Sequence, residues 1–238
     1  MMLSILRPIE KRENAVVVLL WILLLADSLS LIPSYGLLNT LKEIETAGPS
    51  FNITDAQNAL YLNLTVLALK FLLNIGVIIA FLMWMRRAYY NISTRVQMED
   101  SDGWAVGYWF IPILNFFKPY RMMKEMFTKT SDYLERNLES FRPFEFKAML
   151  RWWWVLWILV SLISNISTRL KGDSIRGIEI AFQLDCVTTV LSVPLTFLAV
   201  RVVRRYSDMA YDMNRVTADA DGNINDDFSA HLTTPDLG

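Results

Sequence analysis

The sequence predicts an all-α integral membrane protein: four transmembrane helices plus one interfacial or re-entrant segment on the cytoplasmic side. Three observations predict it. Of 238 residues, 53% are hydrophobic and 20% charged, where soluble domains run at about 45–50% and about 25%. The apolar residues are gathered into runs that reach or approach the ~20 residues a helix needs to cross about 30 Å of hydrocarbon. Lysine and arginine concentrate in alternate connections between those runs, as membrane topology requires.

The first span is expected at about 15–35. Arg7, Lys11 and Arg12 precede it in the manner of a signal peptide, but the run is long and no small-x-small cleavage site follows it closely, so it reads as uncleaved. The second span is 60–84. The third, Trp152 to Ile166, is short and reaches full length if its helix begins near Phe146, giving 146–166. The fourth is 178–203. Only Lys42 separates spans one and two, and Arg169, Lys171 and Arg176 separate spans three and four. With both termini inside, 18 basic residues are cytoplasmic and 4 external, so both termini are expected in the cytoplasm.

The long loop 85–145 then lies inside. Its apolar stretch Gly103–Phe117 is short for a span and carries Pro112 at its middle; a crossing there would reverse the charge bias. Beyond Tyr120, residues Met122, Met123, Met126, Tyr133 and Leu134 recur at helical spacing among Arg121, Lys124, Glu125, Lys129 and Asp132. That pattern suits an amphipathic helix on the inner leaflet; the alternative is a helix packed on the loop's own core. Trp152, Trp153, Trp154 and Trp157 are expected to form an aromatic belt at the inner interface. Residues 1–205 make the membrane domain and 206–238 a polar, acidic cytoplasmic tail, expected to be disordered because from Thr217 it has few apolar residues to bury. Asp219, Asp221, Asn223, Asn225 and Asp227 alternate as in a calcium loop, but Ile224 and Ala230 stand where glycine and glutamate are required. Asn52-Ile53-Thr54 matches the glycosylation pattern and reads as chance.

A formal net charge of -1 gives no reason to expect nucleic acid as a partner. One cysteine, Cys186, excludes an intramolecular disulfide and a cysteine-based zinc site, and His231 is the sole histidine. HExxH, Walker, GxSxG and GxGxxG motifs are all missing. No enzyme activity, cofactor or metal is expected. Charges inside the spans carry more information, since they are costly in hydrocarbon. Asp27 lies roughly 18 Å deep in span one, Lys70 roughly midway along span two, and Asp185 roughly 20 Å above the inner face in span four, all within about one helical turn of the same level. Either Lys70 makes a salt bridge to Asp27 or Asp185 that sets helix pairing, or the three line a path for an ion, proton or substrate.

FLMWMRRAYYN (Phe81–Asn91) and GWAVGYWFIPILNFFKPYRMMKEMF (Gly103–Phe127) together resemble the bacterial membrane proteins grouped as domain of unknown function 4328. The shared pattern is an Arg-rich segment ending in Asn, followed by Trp-Phe-x-Pro-x-x-Asn-x-x-x-Pro-Tyr: here Trp84, Arg87 and Asn91, then Trp109, Phe110, Pro112, Asn115, Pro119 and Tyr120. Glu125 also fits, while Phe127 replaces an expected tryptophan. The resemblance covers about a fifth of the chain. It implies a multi-span protein of the bacterial cytoplasmic (inner) membrane and no mechanism.

Read physically, Pro112 and Pro119 each remove a backbone donor and oppose a continuous helix, and the carbonyls so freed need other partners. The Asn115 amide is expected to donate to them, with Arg87 and Asn91 supplying further donors. The loop then forms either a structural cap or a pocket for lipid headgroups rimmed by Arg86, Arg87, Lys118 and Arg121. The leading expectation is a non-enzymatic scaffold or interaction protein, engaging anionic inner-leaflet lipid or a protein partner, another copy of itself included, through Gly103–Phe127. The alternative is a small transporter or channel component built on Asp27, Lys70 and Asp185.

Overall fold

A computed structural model describes the backbone of residues 6–47, 53–171 and 174–232, and the side chains of 6–46, 53–171 and 174–216. The glycosylation match at Asn52 and the side chains of the tail from Thr217 lie outside the described residues. Regular structure is helical throughout: α1 (Glu10–Leu29), α2 (Leu31–Ala47), α3 (Ile53–Ser93), α4 (Trp104–Gly107), α5 (Lys118–Asn137), α6 (Lys147–Leu170) and α7 (Ile175–Leu232), with no strand among the described residues. Four helical stretches are long and apolar enough to cross a membrane: Glu10–Thr46, Ile53–Ser93, Lys147–Leu170 and Ile175–Val216. Each contains, to within one residue, one of the expected spans. This is an all-α integral membrane protein.

The first stretch is broken at Ser30, and Pro33 is the cause. Its ring displaces the carbonyl four residues back, at Leu29, and it has no N–H to return. Serine hydroxyls bond neighbouring carbonyls around the break: Ser28 donates to Leu24 O, Ser30 to Asp27 O and Ser34 to Ser30 O, at 2.9, 2.8 and 2.9 Å.

The chain divides into two compact units. The span unit, Asn14–Phe81 and Ala148–Val202, places apolar side chains outside and polar ones inside. Leu25, Phe71, Leu72, Leu162, Val190 and Phe197 are exposed, whereas Ser30, Asn63, Ser167, Ser192 and Thr196 are buried. Water as solvent would select the reverse order; hydrocarbon selects this one. At the start of α7, a Cβ on Gly177 would lie 2.6 Å from the Leu170 carbonyl oxygen, so only glycine fits where the chain leaving α6 passes that close.

The motif unit, Met1–Glu13, Leu82–Lys147 and Val203–Gly238, has the opposite order. Its core combines Trp84, Met85, Ala88, Tyr89 and Ile92 of α3, Met122, Met123, Met126, Phe127 and Leu134 of α5, and Tyr206, Met209, Ala210 and Met213 of α7. Two expectations change here. The apolar face of α5 is buried within the unit, so it does not lie on a leaflet: the helix packs on a core that α3 and α7 share with the loop. α7 runs past 205 without interruption, because Tyr206, Met209, Ala210 and Met213 repeat at helical spacing and bury that face. α7 ends at Leu232.

Gly103–Phe117 forms no spanning helix. It is α4 followed by two 3-10 turns, Tyr108–Phe110 and Leu114–Phe116. Ile111, ahead of Pro112, is extended at φ -100 and ψ 110, as a residue before proline tends to be. Pro119 is accommodated in the first turn of α5, where its missing N–H has no helical partner in any case.

Candidate functional site

Inside the span unit, α1, α2, α3, α6 and α7 surround a cavity of about 500 Å³. Asp27, Lys70, Lys171 and Asp185 line it together with Ser30, Ser34, Ser161, Ser164, Thr188 and Ser192. Lys70 Nζ lies 3.0 Å from Asp27 Oδ1 and donates to Ser30 Oγ at 2.8 Å. Asp27 and Ser30, three residues apart, lie on one face of the chain at the break, so the ammonium reaches the carboxylate and the hydroxyl together.

Asp185 belongs to a different pair. Its Oδ2 is 2.7 Å from Lys171 Nζ, and its Oδ1 accepts a 2.6 Å bond from Ser167 Oγ. Thr188 and Thr189 return their hydroxyls to the Asp185 backbone carbonyl at 3.0 and 2.8 Å. Asp27, Lys70 and Asp185 therefore line one cavity but do not form one cluster. Sequence reading assigned Lys171 to a connection, because it follows the apolar run of α6; its flexible stem carries the ammonium back among the helices. Side-chain exposure is 25% and 24% for Lys70 and Asp27, and 34% and 25% for Lys171 and Asp185. These ions are partly shielded, each has an opposite charge within reach, and one ion of each pair also has a hydroxyl, Ser30 on Lys70 and Ser167 on Asp185, which offsets the cost of leaving water.

Trp153 and Trp157 also line this cavity. The four-tryptophan belt is therefore corrected: Trp152 is exposed, Trp153 and Trp154 are buried, and Trp154 stacks on Trp157 at 4.8 Å. Four consecutive or near-consecutive helix positions cannot all face one surface at 100° per residue. A second cavity of about 430 Å³ is mostly apolar, walled by Leu37, Leu41, Leu60, Leu64 and Phe182, and shares Ser34, Leu67, Lys171 and Asp185 with the first. Among the described residues, no group of three or more His, Cys, Asp or Glu side chains is placed to hold a metal ion.

The motif residues fall in the motif unit, where the polar side chains around them are largely engaged. Tyr108 Oη donates to Asp100 Oδ1 at 2.9 Å, and Lys118 Nζ reaches Asp100 Oδ2 at 3.4 Å while lying 4.7 Å over the Tyr108 ring. The Tyr108 hydroxyl first, and Asp100 with it, raise the Lys118 pKa above the ordinary lysine value. Arg86 pairs with Asp102 at 3.1 Å, and Arg87 donates to Pro8 O at 2.9 Å. The rim expected from sequence is thus not four free cations: Arg86, Arg87 and Lys118 are engaged within the unit, and Arg121 is exposed.

Asn115 differs from expectation as well. Its Oδ1 is buried without a hydrogen-bond partner, and the carbonyls near Pro112 are served by backbone instead. Asn115 N–H donates to Ile111 O at 2.8 Å, and Phe117 N–H to Leu114 O at 3.2 Å. Asn91 bonds the N-terminal segment, donating to Arg7 O at 2.8 Å and accepting from Arg7 N–H at 3.0 Å. Pro119 is buried, Trp109 and Tyr120 are half-buried, and Phe110 and Pro112 are exposed. Glu125 organises the loop: it accepts from Tyr89 Oη at 3.2 Å and Glu99 N–H at 2.8 Å, and pairs with Lys129 at 2.8 Å.

A family model described as Domain of unknown function (DUF4328) matches residues 47–208. No curated protein and no solved structure matches the chain.

Proposed function

The chain belongs to the family described as Domain of unknown function (DUF4328), and from that premise, which supplies membership and no chemistry, we propose that the span unit binds or conducts a small polar solute. The role is non-enzymatic, that of a transporter or channel component. One observation carries it: two Asp–Lys pairs and a wall of hydroxyls face a common cavity of about 500 Å³ within apolar helices. A salt bridge needed only to fix helix pairing requires no space beside it. Here the ions have room for water or solute, and ionisable groups bordering a cavity in a membrane bundle are the usual mark of a site. The paired charges suit a solute with both donor and acceptor groups, which displaces part of each pair.

Cysteine labelling tests the reading in a Cys186→Ser background, which is otherwise free of cysteine. Ser164→Cys and Thr188→Cys face the cavity, and Leu162→Cys faces outward. A water-soluble, charged thiol reagent should modify the first two and spare the third. No modification of either cavity cysteine from either side of the membrane would overturn the proposal.

A second reading, engagement of inner-leaflet lipid through the motif segment, is favoured by a different observation. Trp104, Phe110, Ile111, Ile113, Phe116 and Phe117 are exposed along one short segment of the motif unit, and such patches usually serve an apolar or membrane contact. The setting that accompanies both readings is a bacterial inner membrane, with both termini and the loop cytoplasmic.

A further inference from the structure

In the motif unit the N-terminal segment is fastened to α3 by arginines. Arg7 clasps Asn91 through its backbone and lays its guanidinium 3.9 Å over the Tyr90 ring. Arg12 Nη1 donates to the Met83 carbonyl, and Arg87 Nη1 donates to Pro8 O at 2.9 Å. These contacts bring Arg7 and Arg12 alongside Arg86 and Arg87. Arg12 lies within electrostatic reach of all three others.

Such crowding is unfavourable without an anion. Asp102 takes Arg86, and Glu13, one position from Arg12, is directed to Ser207 and Arg204. Among the described residues, Asp102 is therefore the one carboxylate in an ion pair with any of the four guanidinium groups. The carbonyls of Met83 and Pro8 each occupy a nitrogen of Arg12 and Arg87, leaving further N–H donors on both. Arg7 and Arg86 are exposed, and Arg12 and Arg87 are half-buried.

We propose that Arg7, Arg12, Arg86 and Arg87 form a phosphate-binding site, occupied by the headgroup phosphate of a membrane phospholipid. Guanidinium groups present planar pairs of donors that match phosphate oxygens, and the contacts of Arg7, Arg12 and Arg87 hold these arginines together along one stretch of α3. The placement along the chain selects the lipid as source. Arg12 comes three residues before the apolar run that starts at Ala15, and Arg86 and Arg87 follow directly on the run that ends at Trp84. Arginines at the ends of apolar runs sit at headgroup level. The site is independent of the polar cavity, and it differs from the rim expected from sequence by including Arg7 and Arg12 and excluding Lys118 and Arg121.

Native mass spectrometry of the delipidated full chain in detergent tests it with three probes: dioctanoyl-phosphatidylglycerol, dioctanoylglycerol, which has the same tails and no phosphate, and inorganic phosphate. The phospholipid should bind saturably, one per chain, and dioctanoylglycerol should not. Arg86→Gln and Arg12→Gln should each weaken phospholipid binding about tenfold, the loss of a charge-assisted hydrogen bond, while Arg121→Gln should leave it unchanged. Arg12→Gln also removes the Met83 contact, so the exposed Arg86→Gln keeps the test valid if that variant does not fold. Equal binding by wild type and Arg86→Gln, or equal binding of dioctanoylglycerol, overturns the site. Displacement of the phospholipid by inorganic phosphate at matching concentration overturns its assignment to lipid.

Discussion

At Lys70 the cost of holding an ammonium among apolar helices is met by two partners, Asp27 and Ser30. Removing the cation alone strands a carboxylate, and removing both charges does not. Lys70→Met should therefore destabilise more than Lys70→Met combined with Asp27→Asn, with a coupling of about 0.5–2 kcal/mol in thermal or denaturant unfolding. The combination of Lys70→Met with Asp185→Asn should be additive, because Asp185 answers to Lys171 and Ser167. Coupling to Asp185 in place of Asp27 would refute the pairing. Sequence placed Lys70, Asp27 and Asp185 at one level but left the choice of partner open, since depth along a helix says nothing about direction around it. Lys171 was illegible for a related reason: a charge just past an apolar run looks like loop whether its side chain turns out to water or back inside.

α5 shows the same division at the next scale. Its apolar spacing was legible, and the helix Lys118–Asn137 follows it. What covers that face was not legible, because periodicity reports that a face is apolar and not whether protein or lipid meets it. The structure covers it with protein: Met122, Met123, Met126, Phe127 and Leu134 are all buried. Phe127 stacks on Phe146 at 5.2 Å and meets the Tyr206 ring edge-on at 5.3 Å. Met126→Ala should therefore cost about 2–5 kcal/mol through the cavity it leaves, and Lys124→Ala, at an exposed position, should stay within about 0.5 kcal/mol. Unfolding of the purified variants checks both values, and a Met126→Ala no more costly than Lys124→Ala would return the face to the leaflet. The continuation of α7 was open to the same periodic reading, with Tyr206, Met209, Ala210 and Met213 as its signal, but those positions lie past the hydropathic run that marked the span.

For the molecule as a whole, four apolar helical stretches and the uneven distribution of lysine and arginine define the remaining expectation. Ser140→Cys, in the connection after α5, and Glu45→Cys, near the end of α2, are both exposed. In the Cys186→Ser background, an impermeant reagent added to intact cells should label Glu45→Cys and reach Ser140→Cys only after permeabilisation. The opposite pattern would overturn the orientation. α3, at 41 residues, is about 60 Å long, twice the hydrocarbon thickness, so the helix cannot lie wholly inside the bilayer. Its last turns carry Arg86 and Arg87, and Lys70 lies near its middle. Within the span unit, the cavity's two carboxylates balance its two ammoniums, leaving no net charge there. A voltage across the membrane consequently does no net work on a rigid displacement of that wall. Opening one pair, so that a lysine or an aspartate moves alone, would change this: up to about 2.3 kcal/mol per 100 mV becomes available for a full crossing of one elementary charge. The intact pairs make the cavity electrically silent, and only separating them would let it respond to the membrane potential.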